Sequence, residues 1–272
     1  MKNRAPAMDQ PRPDAPKRAE SRPAERKTGA PKGRAPGSSD ASSKGPAAKT
    51  SSAKAAPAVA HRFIVLEGPI GVGKTSLATR LAASLGAELV LEQADQNPFL
   101  ERFYRQPRSG ALPAQLYFLF QRAQQLAALK QHDLFAPLRV ADYLFDKDRL
   151  FARVTLEEEE FRLYEQVHAK LAIDAPAPDL VVYLQAPVDV LLDRIGRRGI
   201  RYEQYIERVY LERLNAAYAR FFHEFDAAPL LIVNAAAIDP LHNESDYDEL
   251  LAAIRRMQRG RLYYNPLRHA AL

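Results

Sequence analysis

The chain has 272 residues, 47% of them hydrophobic, and no cysteine, so it is long and apolar enough to bury a core and has neither disulfides nor thiolate metal sites. Its net charge of +6 is unevenly placed: residues 1–60 carry 13 Lys/Arg against 5 Asp/Glu, which leaves 26 against 28 for the remainder. No apolar run of about 18 residues is present to span a membrane, and no secretory signal pattern opens the chain, so a cytoplasmic location is the simplest expectation.

Residues 1–60 also hold 9 of the 20 prolines, with Ala, Ser and Gly between them and no Phe, Tyr or Trp. Such a stretch does not bury enough apolar surface to offset chain entropy. It is predicted to be a disordered basic tail, with residues 61–272 forming one domain. Its charge suits an anionic partner such as nucleic acid or lipid, but with no interleaved aromatic residues to stack on bases, a solvated extension is the simpler reading. The prolines and the acids at Asp9, Asp14, Glu20 and Glu25 speak against an organelle transit peptide.

From Phe63 onward short apolar runs alternate with longer helical patterns, the rhythm of a parallel sheet with helices on both faces. Five strands are predicted: Phe63–Glu67, Ala87–Glu92, Leu138–Asp142, Leu180–Leu184 and Leu230–Val233. Helices are predicted at Lys74–Leu85, Asn97–Arg105, Pro113–His132, Leu156–Ile173, Val188–Arg194, Glu203–Phe222 and Asp246–Gln258. The fold class is therefore α/β, a doubly wound five-stranded parallel sheet with helices on both faces.

Between the first strand and helix lies EGPIGVGKTS, in which Gly68, Gly71, Gly73, Lys74 and Thr75 satisfy G-x-x-x-x-G-K-[ST]. Glycines let backbone N–H groups turn inward on phosphates at a helix N-terminus. Gly68, Gly71, Val72, Gly73, Lys74, Thr75 and Ser76 are therefore assigned to ATP, with Lys74 on the β and γ oxygens and Thr75 on Mg²⁺. Motors, GTPases and transporters share this loop, so it does not by itself make a kinase.

Three features narrow the choice. Glu92 closes the second strand and Asp142 the third, so both carboxylates emerge at the sheet edge that carries the loop. Arg194, Arg197, Arg198 and Arg201 crowd into DRIGRRGIRYE after the fourth strand. They read as a lid, with Arg194 on ATP and Arg197, Arg198 and Arg201 neutralising charge on the transferring phosphoryl group.

In order along the chain, EGPIGVGKTS, Glu92 followed by NPFLERFY, QLYFLFQR, VADYLFDKDRLFA and the Arg-rich segment leading into YEQYIERVYLERL resemble the deoxyribonucleoside kinase family, in its bacterial deoxyadenosine/deoxyguanosine kinase branch. The resemblance runs from Phe63 to the last helix. It implies ATP-dependent phosphorylation of a deoxyribonucleoside, with a purine expected, at its 5′-hydroxyl in a salvage route, by a homodimer using Mg²⁺. Glu92 would be the general base, Asp142 a Mg²⁺ ligand beside Thr75, and Gln115 and Arg122 the readers of the base. Tyr104 and Glu203 would grip the sugar 3′-hydroxyl, and Asp148 or Asp146 would accompany Arg122.

The departures are specific. Tyr143 stands where the family has an arginine, so a lid arginine is expected to supply that charge, and Glu92-Gln93-Ala94 replaces Glu-Pro-Val. Two other readings remain open at this point. A nucleoside monophosphate kinase of the thymidylate kinase type would need Arg102, Arg105 or Arg149 for the acceptor's own phosphate. A nucleotide-binding regulatory protein would use its basic tail as a nucleic-acid arm.

Overall fold

The structure, a computed structural model, describes residues 61–131, 138–171 and 175–266. The predicted tail, residues 1–60, lies outside the described residues, as do His132 and Ile173, the last residues of two predicted helices.

β1 (Phe63–Glu67) is an apolar run buried on both faces, and β4 (Leu180–Gln185) and β5 (Leu230–Asn234) share that pattern. This is what central strands of a parallel sheet require. With β2 (Glu88–Val90), β3 (Arg139–Ala141) and β6 (Arg261–Tyr264) they form one six-stranded parallel sheet in the order β2-β3-β1-β4-β5-β6. The sheet thus has six strands, not the five predicted. The extra strand, RLYY, is a mostly exposed edge paired with β5 alone, so it lacks the buried apolar run by which the others are recognised.

Side chains alternate between two cores. Ile64, Leu66, Val182, Leu184, Leu231 and Val233 face α1 (Lys74–Leu85), α6 (Val188–Arg198) and α8 (Glu244–Arg256). Val65, Val181, Tyr183, Leu230 and Ile232 face α4 (Lys147–Thr155) and α7 (Arg208–Glu224). α2 (Leu100–Arg105), α3 (Pro107–Gln131) and α5 (Glu158–Leu171) pack over the β2 end of the fold through two smaller cores.

Several boundaries differ from the expectation. α3 begins at Pro107, whose missing N–H suits a helix start, and Pro113 lies inside the helix. α4 was not predicted, because KDRLFARVT is short and strongly charged, yet it buries Leu150 in one core and Ala152 in another, and its start buries Lys147 and Asp148. The predicted Glu203–Phe222 helix is a 3-10 turn, Arg201–Tyr205, followed by α7.

Two local features hold this frame together. Glu67, fully buried at the end of β1, accepts from Gly68 N at 2.8 Å, Leu144 N at 2.7 Å and the Tyr218 hydroxyl at 2.9 Å. Burial, and then the Glu67 carboxylate, push the Tyr218 phenol well above its ordinary pKa, so it stays a donor. Gly110 lets α3 cross α2 closely, since a Cβ there would lie 2.5 Å from the backbone nitrogen of Phe103.

Two stability predictions follow from these contacts. Glu67→Ala leaves three buried donors short of an acceptor and is expected to destabilise the domain by roughly 2–5 kcal/mol in urea unfolding; a loss below about 1 kcal/mol would contradict the role given to the carboxylate. Gly110→Ala is expected to lose about 1–3 kcal/mol as α2 is pushed off α3. A melting temperature equal to that of the unsubstituted protein would show that the crossing has slack.

Candidate active site

The connections out of β1 and β3 leave in opposite directions, so the crevice at the C-terminal ends of these neighbouring strands is the sheet's switch point, where such folds bind ligands. The loop after β1 enters it. Gly68 has φ +148°, and a Cβ there would collide with the Leu184 carbonyl oxygen, so only glycine lets the loop lie so close to β4. Lys74, the first residue of α1, folds back over the loop and donates to Gly68 O at 2.7 Å and Pro69 O at 3.1 Å. Burial pushes its ammonium down to about 8, Lys147 adds to that, and Glu67, Glu92 and Asp142 oppose it.

Asp142 follows β3 and ties three segments. Its Oδ2 accepts from Thr75 Oγ1 at 2.5 Å and its Oδ1 from Glu92 N at 2.8 Å. The Thr75 hydroxyl and Asp142 carboxylate thus stand side by side. Among the described residues no group of three or more His, Cys, Asp or Glu is placed to hold a metal. This pair fits Mg²⁺, which takes one or two protein oxygens and fills its remaining positions with water and phosphate.

Beyond the loop a cleft of about 770 Å³ runs under α2 and α3. Glu92 lies two residues past the end of β2, and its carboxylate is held by Lys147 Nζ at 2.8 Å and by Arg122. Burial alone would raise the Glu92 carboxyl; Lys147 and Arg122 more than offset it and hold it well below the usual carboxylate range. Arg122 also pairs with Asp148, which is fully buried, whereas Asp146 lines a separate groove between α4 and α7. The register left open by the sequence is therefore settled in favour of Asp148 as the partner of Arg122.

Gln115 is buried and lines the cleft, and no protein partner among the described residues claims its amide. Tyr104, on α2, stacks on Tyr202 with centroids 6.1 Å apart and planes 13° apart, facing the same space as Glu203. Glu203 is gripped by Arg198, whose Nε donates to Oε2 at 3.0 Å.

The arginines depart from the expected lid. Arg194 donates to Val72 O at 3.0 Å and Ala235 O at 2.8 Å, clamping the phosphate loop to the segment after β5. Arg197 is exposed and pairs with Asp193 on its own helix, and Arg198 is held by Glu203. Arg201 stands outside the cleft lining altogether. The Tyr143 hydroxyl donates to Gln125 Oε1 at 2.7 Å and braces α3. Two cations lie against the Tyr143 ring, Arg122 at 5.5 Å and Lys147 at 5.8 Å from its centroid; Lys147, at the start of the unpredicted helix, is the one that sequence reasoning passed over. Arg102, Arg105 and Arg149, which an acceptor phosphate would need, are exposed and outside the cleft lining.

Comparison with known proteins places the chain in a family. Residues 64–258 match the deoxynucleoside kinase family model. Deoxyguanosine kinase of Bacillus subtilis is 33% identical over 200 residues, covering 72% of this chain and 97% of its own length. The deoxyadenosine/deoxycytidine kinase of the same organism is 28% identical over 199 residues, with 70% and 90% covered. Among solved structures, deoxyadenosine kinase from M. mycoides shares the fold at TM-score 0.62 and 23% identity, over 70% of this chain and 97% of that one. The phosphate loop and the extent of these matches lead to one conclusion: the chain belongs to the deoxynucleoside kinase family, and is a phosphotransferase.

Proposed function

We propose that the protein transfers the γ-phosphoryl group of ATP to the 5′-hydroxyl of a purine deoxynucleoside, deoxyguanosine or deoxyadenosine, giving the monophosphate for salvage. The observation that carries this reading is the position of the Glu92 carboxylate, between the phosphate loop and a cavity lined by Gln115, Tyr104 and Glu203. The purine preference draws on base-edge chemistry: the Gln115 amide offers a donor and an acceptor, and Arg122 with Asp148 offers both again. Relatives named deoxyguanosine and deoxyadenosine/deoxycytidine kinase support it. A homodimer is part of the same reading.

In this reading a lone pair of the 5′-oxygen forms a bond to the γ-phosphorus. The bond from that phosphorus to the β–γ bridging oxygen breaks with its electrons going to ADP. The hydroxyl proton passes to Glu92. Mg²⁺ held by Thr75 and Asp142 would supply charge neutralisation at the phosphates. A carboxylate held so far down is a weak base, and a loose phosphoryl-transfer transition state needs little more: Glu92 first orients the hydroxyl as a hydrogen-bond acceptor and takes the proton late. Tyr104 and Glu203 bind the 3′-hydroxyl, with Arg198 fixing the Glu203 carboxylate. Lys74 and Arg194 hold the donor side, Lys74 through its charge and Arg194 by fixing the loop.

A panel of the four deoxynucleosides and their monophosphates, with ATP and Mg²⁺, tests the proposal: ADP release is expected on deoxyguanosine or deoxyadenosine, and turnover confined to monophosphates would refute it. Glu92→Gln is expected to lower kcat by about 100-fold while the KM for the deoxynucleoside stays within about threefold; an unchanged kcat would remove Glu92 from proton transfer. The Lys74 ammonium binds the donor only while protonated, and its proton leaves as pH rises through about 8. The kcat/KM for ATP is therefore expected to be level below that pH and to decline above it, and a profile flat up to pH near the ordinary lysine value of about 10.4 would contradict the assignment.

A further inference from the structure

The cleft holds a second lysine that the reaction as described leaves without a task. Lys147 is 2% exposed, and its Nζ donates to Glu92 Oε2 at 2.8 Å. Its placement is unfavourable in three ways. It is buried; it opens α4, where the peptide dipoles disfavour a cation; and it lies close enough to Lys74 to push that ammonium's pKa down. Nor is it the only cation on Glu92, because Arg122 pairs with that carboxylate as well as with Asp148. A lysine kept in such a place, against the carboxylate that the reaction must protonate, points to a use in the loaded enzyme.

Its surroundings favour movement. The ammonium sits 5.8 Å from the centroid of the Tyr143 ring and 5.7 Å from that of Phe151, and among the described residues it donates a hydrogen bond to Glu92 alone. It lines the cleft between the acceptor position, marked by Glu92, and the donor position, marked by Lys74. The arginines of α6 are committed elsewhere, to Val72 and Ala235, to Asp193 and to Glu203.

We propose that Lys147 is a catalytic residue: its ammonium leaves Glu92 and closes on the non-bridging oxygens of the phosphoryl group in transfer, supplying the charge that Tyr143 lacks. The inference rests on the reading of the cleft as a site of phosphoryl transfer to a deoxynucleoside. The new P–O bond forms from the 5′-oxygen lone pair, the bridging P–O electrons go to ADP, and the hydroxyl proton goes to Glu92; Lys147 keeps its own proton throughout. Its move has a second effect. Glu92 loses one of its two cations as the proton arrives, and so becomes a stronger base at that moment.

Steady-state kinetics of Lys147→Met, Glu92→Gln and the double variant tests this, with wild-type protein, ATP, Mg²⁺ and deoxyguanosine or deoxyadenosine. Lys147→Met is expected to lose about 100-fold or more in kcat, with the deoxynucleoside KM within about threefold. On the Glu92→Gln background it is expected to lose at least about tenfold more, because the lysine touches the phosphoryl group as well as the carboxylate. Were Lys147 only a positioning residue for Glu92, the double variant would match Glu92→Gln, and that result overturns the proposal, as does a Lys147→Met kcat within about threefold of wild type. If Lys147→Met does not fold, the double variant, which removes both charges of the pair, decides. An active wild type with an unimpaired Lys147→Met refutes this inference alone; a wild type silent on every deoxynucleoside refutes the underlying reading with it.

Discussion

The site depends on a carboxylate that takes no part in its chemistry. Glu67 ends the central strand with no exposure, and its oxygens collect donors from the phosphate loop, from the loop after β3 and from α7. A buried carboxylate without such donors would be strongly unfavourable; with them it fixes the relative positions of the elements that supply them. Asp142, two residues before the Leu144 that donates to Glu67, repeats the device, joining Thr75 to the exit of β2 and so to Glu92. Donor and acceptor halves of the cleft are set against each other by these two side chains.

Charge within the cleft is balanced side chain by side chain. Lys74, Lys147 and Arg122 face Glu92, Asp142 and Asp148, and the ion pairs among them lie in a setting where an unpaired partner would be strongly disfavoured. The balance explains opposite behaviours in neighbouring groups. Two cations hold Glu92 ionised despite its burial, whereas burial and a neighbouring lysine drive Lys74 down into the range of ordinary pH. In the proposed reaction an entering triphosphate would draw Lys74 and Lys147 from their present partners, with Mg²⁺ supplying further positive charge.

How much of this the sequence made legible depends on the range of the interaction involved. The phosphate loop is local: its glycines and lysine are adjacent, and the backbone geometry confirms them. Glu92 and Asp142 were found because a strand end fixes where a side chain emerges, even though β2 stops at Val90 and the Asp142 bond to Glu92 N carries the chain onward. Lys147 was missed because its helix is short and charged, and because Tyr143 drew attention to the place of the absent arginine and away from a lysine four residues later. The arginines of α6 were over-read: a run of like charges gives no sign that Asp193, Glu203 and two carbonyl groups would engage them. β6 escaped for the opposite reason, being an exposed edge that no apolar run announces.

The most direct test of the central claim is a crystal structure of the full chain with deoxyguanosine and a non-hydrolysable ATP analogue. The 5′-oxygen is expected within hydrogen-bond reach of the Glu92 carboxylate, with the base edge on Gln115 and Arg122 and the triphosphate over Lys74. A nucleoside bound elsewhere, or lying in the cleft with its 5′-oxygen turned away from Glu92, would contradict it.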